Sequence, residues 1–189
     1  ADPDGAGGPL PAPTTRFTYD AAGRVLTATD PADETVTFGY DDNGNRTSAT
    51  DQLGKVTLFS YDVLDKLAGV TDPLSNSWAY TYDPNYNLAS VTNPRGATTS
   101  YTYSADDLLV ATEDALGHSW AFSHDAADNT LESEYPTGET VTRTYAADDL
   151  LAESTYSTGE SYAFAYTPTH RLASVSGPKC TDSPSASAA

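Results

Sequence analysis

The sequence predicts an all-β fold, a tandem array of 21-residue hairpins joined side by side into a curved antiparallel sheet. Three observations carry this. Tyr19, Tyr40, Tyr61, Tyr82, Tyr103, His124, Tyr145 and Tyr166 recur every 21 residues without an insertion. Longer echoes obey the same period: "SWAY" at 77 and "SWAF" at 119 lie two periods apart, and "LASV" at 88 returns at 172. Between them, bulky and small residues alternate with a spacing of two, as on a pleated strand.

Each period divides into four parts. Numbering columns from the tyrosine, columns 18, 20 and the next column 1 share one strand face. They read Val36-Phe38-Tyr40, Thr57-Phe59-Tyr61, Trp78-Tyr80-Tyr82, Trp120-Phe122-His124 and Tyr162-Phe164-Tyr166, with small residues such as Ala79, Ala121 and Ala163 between. A tight turn follows. Asp20, Asp41, Asp62, Asp83 and Asp125 open it, and their carboxylates suit hydrogen bonding to turn N–H groups. Gly23 and Gly44 stand where a left-handed residue closes a short hairpin, and Asp65, Asp107, Asp128 and Asp149 later take that place. Tyr86 and His170 fit it poorly, so those two turns are expected to differ.

A second strand, "VLTATD", "LAGVTD" or "LASVTN", ends at Pro31, Pro73 or Pro94. Gly54, Gly96, Gly117, Gly138 and Gly159 mark a second and looser turn. Eight periods give roughly 15 strands. A lone hairpin is marginal in water, so each leans on its neighbours through cross-strand aromatic pairs of about 0.2–1 kcal/mol. A flat sheet would leave its aromatic face wet, so the array is expected to curl, with that face inward or under another layer.

Composition excludes several functions. A formal charge of −18 with only nine lysines and arginines disfavours nucleic acid and anionic membranes. No apolar run approaches the roughly 20 residues of a bilayer span, so membrane insertion is not expected. Cys180 alone allows no intrachain disulfide and reads as an incidental thiol. Residues 1–15 are Pro/Gly/Ala-rich and read as a flexible linker, 16–180 as the array and 181–189 as a disordered tail. The start "ADPDGAGG", without methionine, reads as a piece of something longer.

No constellation of catalytic residues emerges. His118 and His124 are close enough in sequence to be neighbours but have no further ligands around them. Glu132 and Glu134 lie about 7 Å apart on one strand, near inverting-glycosidase spacing, yet no insertion builds a cleft around them. "DDNGN" at 41 resembles the start of a calcium loop, but Arg46 stands where glycine is required. Residues 103–165 hold 13 of the 27 acids and one basic residue, Arg143. There Glu113 and Glu134, Glu132 and Glu153, and Glu139 and Glu160 share columns, so calcium is the one cofactor considered; otherwise none is expected.

The Tyr-Asp-x-x-Gly-Arg core of "YDAAGRVL" at 19, its variants "YDDNGNRT" and "YDVLDKLA", the 21-residue period and the second-turn glycine resemble the YD repeat, or RHS repeat, over residues 16–180. The columns that carry the resemblance are Tyr19, Asp20, Gly23, Tyr40, Asp41, Gly44, Tyr61, Asp62, Tyr82, Asp83, Tyr103, Tyr145 and Tyr166, expected to be structural. Ser104, Ala146 and Thr167 depart from it in the acid column, and His124 in the tyrosine column. The resemblance implies a long sheet wound into a spiral β shell, as in bacterial Rhs proteins, insecticidal toxin complexes and animal teneurins. It implies a non-enzymatic module of a secreted or surface-displayed bacterial protein, whose partner is an encapsulated polypeptide cargo or a flanking shell domain. The family's autoproteolytic plug motif is missing, since "DPADE" and "DPLSN" lack its Gly-Leu. The alternative is an adhesion module whose exposed Tyr and Trp columns, Trp78 and Trp120 foremost, stack on carbohydrate or bind a surface protein.

Overall fold

The computed structural model describes residues 14–178. The linker before residue 14, the tail and Cys180 fall outside the described residues. Strands follow one another as β1 (Arg16–Tyr19), β2 (Val25–Thr29), β3 (Thr35–Tyr40), β4 (Arg46–Thr50), β5 (Val56–Tyr61), β6 (Leu67–Thr71), β7 (Ser77–Tyr82) and β8 (Leu88–Thr92). The second half continues with β9 (Thr98–Tyr103), β10 (Leu109–Glu113), β11 (Ser119–His124), β12 (Thr130–Glu134), β13 (Thr140–Tyr145), β14 (Leu151–Tyr156), β15 (Ser161–Tyr166) and β16 (Leu172–Ser176). Sheet order is chain order throughout these 16 strands. No helix is long and apolar enough to cross a membrane among the described residues.

The chain divides into two compact units. One holds the residues up to Tyr80 with Thr92–Arg95; the other holds Thr81–Val91 and the residues from Gly96 on. Inside the first, the antiparallel register sets Phe17 opposite Ala28 and Ala28 opposite Val36, then Phe38, Ala49 and Thr57, then Phe59, Val70 and Trp78. Inside the second the rows are Tyr101, Thr112 and Trp120, then Phe122, Ser133 and Val141, then Arg143, Ser154 and Tyr162. A small or β-branched residue thus sits between two larger ones. Directly opposed Cβ atoms are about 4.5–5.5 Å apart, so two adjacent large rings would crowd, and the slim middle residue lets both lean across it.

Exposure alternates accordingly. In β5, β7, β9 and β11 the bulky-face residues are half-buried and the Ser, Thr, Ala and Leu between them exposed. Val141, at 4% exposure, is the one buried hydrophobic among the described residues. Among the described residues, side-by-side cover within the sheet is what shields the aromatic columns.

The odd period has a cause. β1, β3, β5, β9, β11, β13 and β15 each slip register against the following even strand just before the column 1 residue, as between Gly39 and Tyr40, where Ser48 opposes Gly39 but Arg46 opposes Tyr40. Thr47 is the extra residue there, as Ala68 and Ala152 are in later hairpins. A shift of one residue exchanges the two faces of a strand. The bulge therefore keeps the aromatic column of one strand and the small column of the next on the same side.

Two expectations about turns are corrected. The second turn is no looser than the first. Asp20 N–H donates to Arg24 O and Gly23 N–H to Asp20 O at 3.0 and 3.1 Å; in the second turn Asp30 N–H donates to Glu34 O and Asp33 N–H to Asp30 O at 2.9 and 3.1 Å. The turns at Tyr86 and His170 do not differ either. Both residues adopt positive φ, 70° and 59°, and close the same bonds to Asp83 O and Thr167 O. The five-residue loop fixes the left-handed corner, and the Tyr86 and His170 side chains are exposed there.

Candidate functional site

The tyrosine column does more than fill a row. Tyr40 Oη donates to Val25 O at 3.0 Å, Tyr61 Oη to Arg46 O at 3.1 Å and Tyr145 Oη to Thr130 O at 2.9 Å. Each acceptor lies 15 residues earlier, on the first residue of the preceding even strand, where the bulge disturbs the ladder. The hydroxyl thus ties one repeat to the one before. Tyr103 sits on the same face, and partial desolvation pushes its phenol above the ordinary value, with Asp83 adding to the effect.

Column 2 acids cap the first turns. Asp20 Oδ1 accepts from Ala22 and Arg24 N–H, and Asp62 and Asp83 repeat this with Leu64 and Lys66, and Asn85 and Asn87. Arg24, through its N–H and its guanidinium, holds Asp20 below the usual carboxylate value. At Asp41 and Asp125 partial desolvation pushes upward, but the N–H and side-chain amides of Asn45 and Asn129 outweigh it and the net direction is down. Ser104 substitutes a hydroxyl that accepts from Asp106 and Leu108 N–H at 3.2 Å.

The sequence reading missed that the second turns carry the same cap. Asp30, Asp51, Asp72 and Asp114 each accept two turn N–H groups. The signal was present as an acid ten residues after Asp20, Asp41 and Asp62, and again after Ser104. It also missed a clamp between repeats. Asn43 and Asn45 both donate to Asp65 Oδ1, at 2.8 and 2.6 Å; Asn85 and Asn87 do so to Asp107, and Asn129 to Asp149. These acceptors are the left-handed aspartates, so they serve as anchors as well as glycine substitutes. Asn87 first and then Asn85 lower the Asp107 pKa.

Trp78 and Trp120 lie half-buried on the bulky face of β7 and β11, opposite Val70 and Thr112. Arg46 places its guanidinium 4.9 Å from the Phe59 ring centre and 5.7 Å from that of Phe38, while Arg24 lies 4.7 Å from Tyr40.

The histidines are not brought together. His118 closes a second turn with its Nδ1 2.9 Å from Asp114, and His124 ends the opposite tip of β11, about 20 Å away along an extended strand. Glu132 and Glu134 flank buried Ser133 on the exposed side of β12, beside a hollow of only 120 Å3. Among the described residues no three metal-binding side chains converge.

The RHS Repeat family matches residues 13–36, 40–74, 61–98, 87–117 and 103–140, about two thirds of the chain. The chain belongs to the RHS repeat family. Two solved structures share its fold well. The Tc holotoxin pore of Photorhabdus luminescens, a TccC3 point mutant, superposes with a TM-score of 0.72 at 14% identity, over 87% of this chain and 11% of that one. A TcdB2–TccC3 complex gives 0.64 at 14% identity, over 82% and 10%. The RHS repeat array thus spans about a tenth of those chains. No curated protein matches it.

Proposed function

We propose that this RHS repeat array is a non-catalytic wall segment of a β shell that encloses or presents a toxin or another polypeptide cargo. The parent protein would be secreted or displayed on a bacterial surface. The observation that carries this reading is the stitching between repeats. Tyrosine hydroxyls, asparagine–aspartate clamps and turn caps use the polar side chains to hold strand against strand. A wall needs that continuity, and the fold likeness to Tc toxin structures agrees with it. The acidic surface would keep such an assembly soluble.

The half-exposed aromatic face supports a second reading, an adhesion module that stacks on carbohydrate or a surface protein. Acrylamide quenching of Trp78 and Trp120 separates the two. A wall predicts modest quenching that glycans leave unchanged; strong quenching relieved by a glycan favours adhesion. Limited proteolysis of the intact parent protein tests encapsulation itself, since a cargo segment cut as fast as a denatured control would refute it. Calcium binding to residues 103–165 is a subsidiary proposal, and a melting temperature indifferent to millimolar calcium and to chelator removes it.

A further inference from the structure

Apart from that shell role, the second turns at 135–139 and 156–160 break the pattern of the earlier ones. Asp30, Asp51, Asp72, Asn93 and Asp114 open those, and their side chains accept turn N–H groups. Tyr135 and Tyr156 stand there instead, in "EYPTGE" and "TYSTGE". Turn chemistry gives no reason for a tyrosine, which cannot cap its own loop as aspartate does.

The turn at 156–160 is instead bonded to Thr140, the first residue of β13 just after the turn at 135–139. Ser157 N–H donates to Thr140 O at 2.8 Å, and Thr140 N–H to Ser157 Oγ at 3.1 Å. β14 accordingly runs to six residues, where β12 and β16 have five. Between the turns lies a cavity of about 280 Å3 lined by Tyr135, Glu139, Val141, Tyr156, Thr158 and Glu160. Val141 is its buried floor, while Tyr135 and Tyr156 keep 39% and 41% of their surface exposed. Tyr162 braces Tyr156 edge-on, with ring centres 5.9 Å apart.

No lysine, arginine or histidine lines this cavity. Arg143, the single basic residue between 103 and 165, is held by the Ser133 hydroxyl at 2.8 Å. The lining therefore combines two tyrosine rings, two glutamates, the hydroxyl residues Thr140, Ser157 and Thr158, and an apolar floor. Aromatic faces attract cations through the ring quadrupole, and more so when the cation is desolvated. Calcium is a poorer match, since it takes about six to eight oxygen ligands and among the described residues no three metal-binding side chains converge here. The volume is slightly below the range of about 300–1,000 Å3 common for ligand pockets, enough for a head group or one side chain.

We propose that the cavity between these two turns binds an alkylammonium group, such as a quaternary ammonium head group or a lysine side chain. The rings of Tyr135 and Tyr156 contact the cation's methyl or methylene groups, and Glu139 and Glu160 supply the opposing charge at the mouth.

The test titrates the whole chain with choline chloride and with its uncharged isostere 3,3-dimethylbutan-1-ol, following the amide resonances of Thr140, Tyr156 and Ser157. Choline should saturate these shifts, with the isostere at least about tenfold weaker. Tyr156→Leu should weaken choline by a similar factor. Glu160→Gln, an exposed change that leaves the fold intact, should weaken it several-fold and reduce its salt dependence. Equal binding of the two probes overturns the proposal, as does choline affinity unchanged in Glu160→Gln. Calcium saturating the same amides without regard to Tyr156→Leu also overturns it.

Discussion

Replacing Tyr40, Tyr61 and Tyr145 by phenylalanine removes three hydroxyls and leaves the rings in place. Each hydroxyl donates to a carbonyl of the preceding repeat over 2.9–3.1 Å. A net contribution of about 0.5–1.5 kcal/mol per bond is expected. Tyr40 and Tyr145 donate in part-buried surroundings and Tyr61 in an exposed one, so the first two should lie near the top of that range. Equivalent tyrosines in adjacent repeats are two strands, or about 10 Å, apart, which is enough for their effects to add. The triple variant should thus lose about 2–4 kcal/mol, a fall of about 4–16 °C in melting temperature for a chain of this size. His124 supplies the converse experiment. It occupies the tyrosine column, and the carbonyl 15 residues before it belongs to Leu109, the first residue of β10. His124→Tyr should therefore stabilise the chain by about 0.5–1.5 kcal/mol. Calorimetry and urea denaturation read both changes. A triple variant melting within about 1 °C of the parent would refute the stitch, because even its smallest predicted effect exceeds that.

Further tests follow from the turns and the rings. Gly117 has φ 80° with open space around its missing Cβ, so Gly117→Val should cost about 1–2 kcal/mol through backbone strain alone, measured by urea denaturation. Asp20, Asp72 and Asp107 all lie below the ordinary value of 3.8, so the stability they contribute is complete above that pH and disappears as pH falls through their lower folded-state values. Melting curves between neutral and strongly acid pH should fall most steeply in that window, and Asn85→Ala with Asn87→Ala should flatten the fall. Arg46→Met removes a guanidinium seated between Phe38 and Phe59 and should destabilise by about 0.5–1 kcal/mol per ring contact, with Arg46→Lys retaining part of it; differential scanning fluorimetry distinguishes the two.

Much of the architecture was legible because it is written in a linear code. Aromatic columns spaced by two residues define a face, and their recurrence every 21 residues defines the repeat. Left-handed corners were readable at Gly23, Gly44, Asp65 and Asp107, where the residue type matches the conformation. Tyr86 and His170 defeated that reasoning because the loop closure outweighs the local preference of one side chain. The equivalence of the two turns was obscured by the conspicuous proline and glycine, although the acid at Asp30, Asp51 and Asp72 was in plain sight. Nothing in the spacing singled out Tyr135 and Tyr156, which come to line one cavity only once Ser157 is bonded to Thr140 at the start of β13.

The amino-acid order alone determined the strand type, the tandem repetition and those hairpin corners where glycine or aspartate marks the place, since alternation and loop closure act over a few neighbouring residues. Three-dimensional pairing decided the rest: where the bulge restores the face, which carbonyl each tyrosine hydroxyl reaches, and which asparagines hold which aspartates. Those partners lie roughly 15 to 22 residues apart, and they meet only because antiparallel strands, about 4.8 Å from neighbour to neighbour, bring successive repeats within about 10 Å of each other.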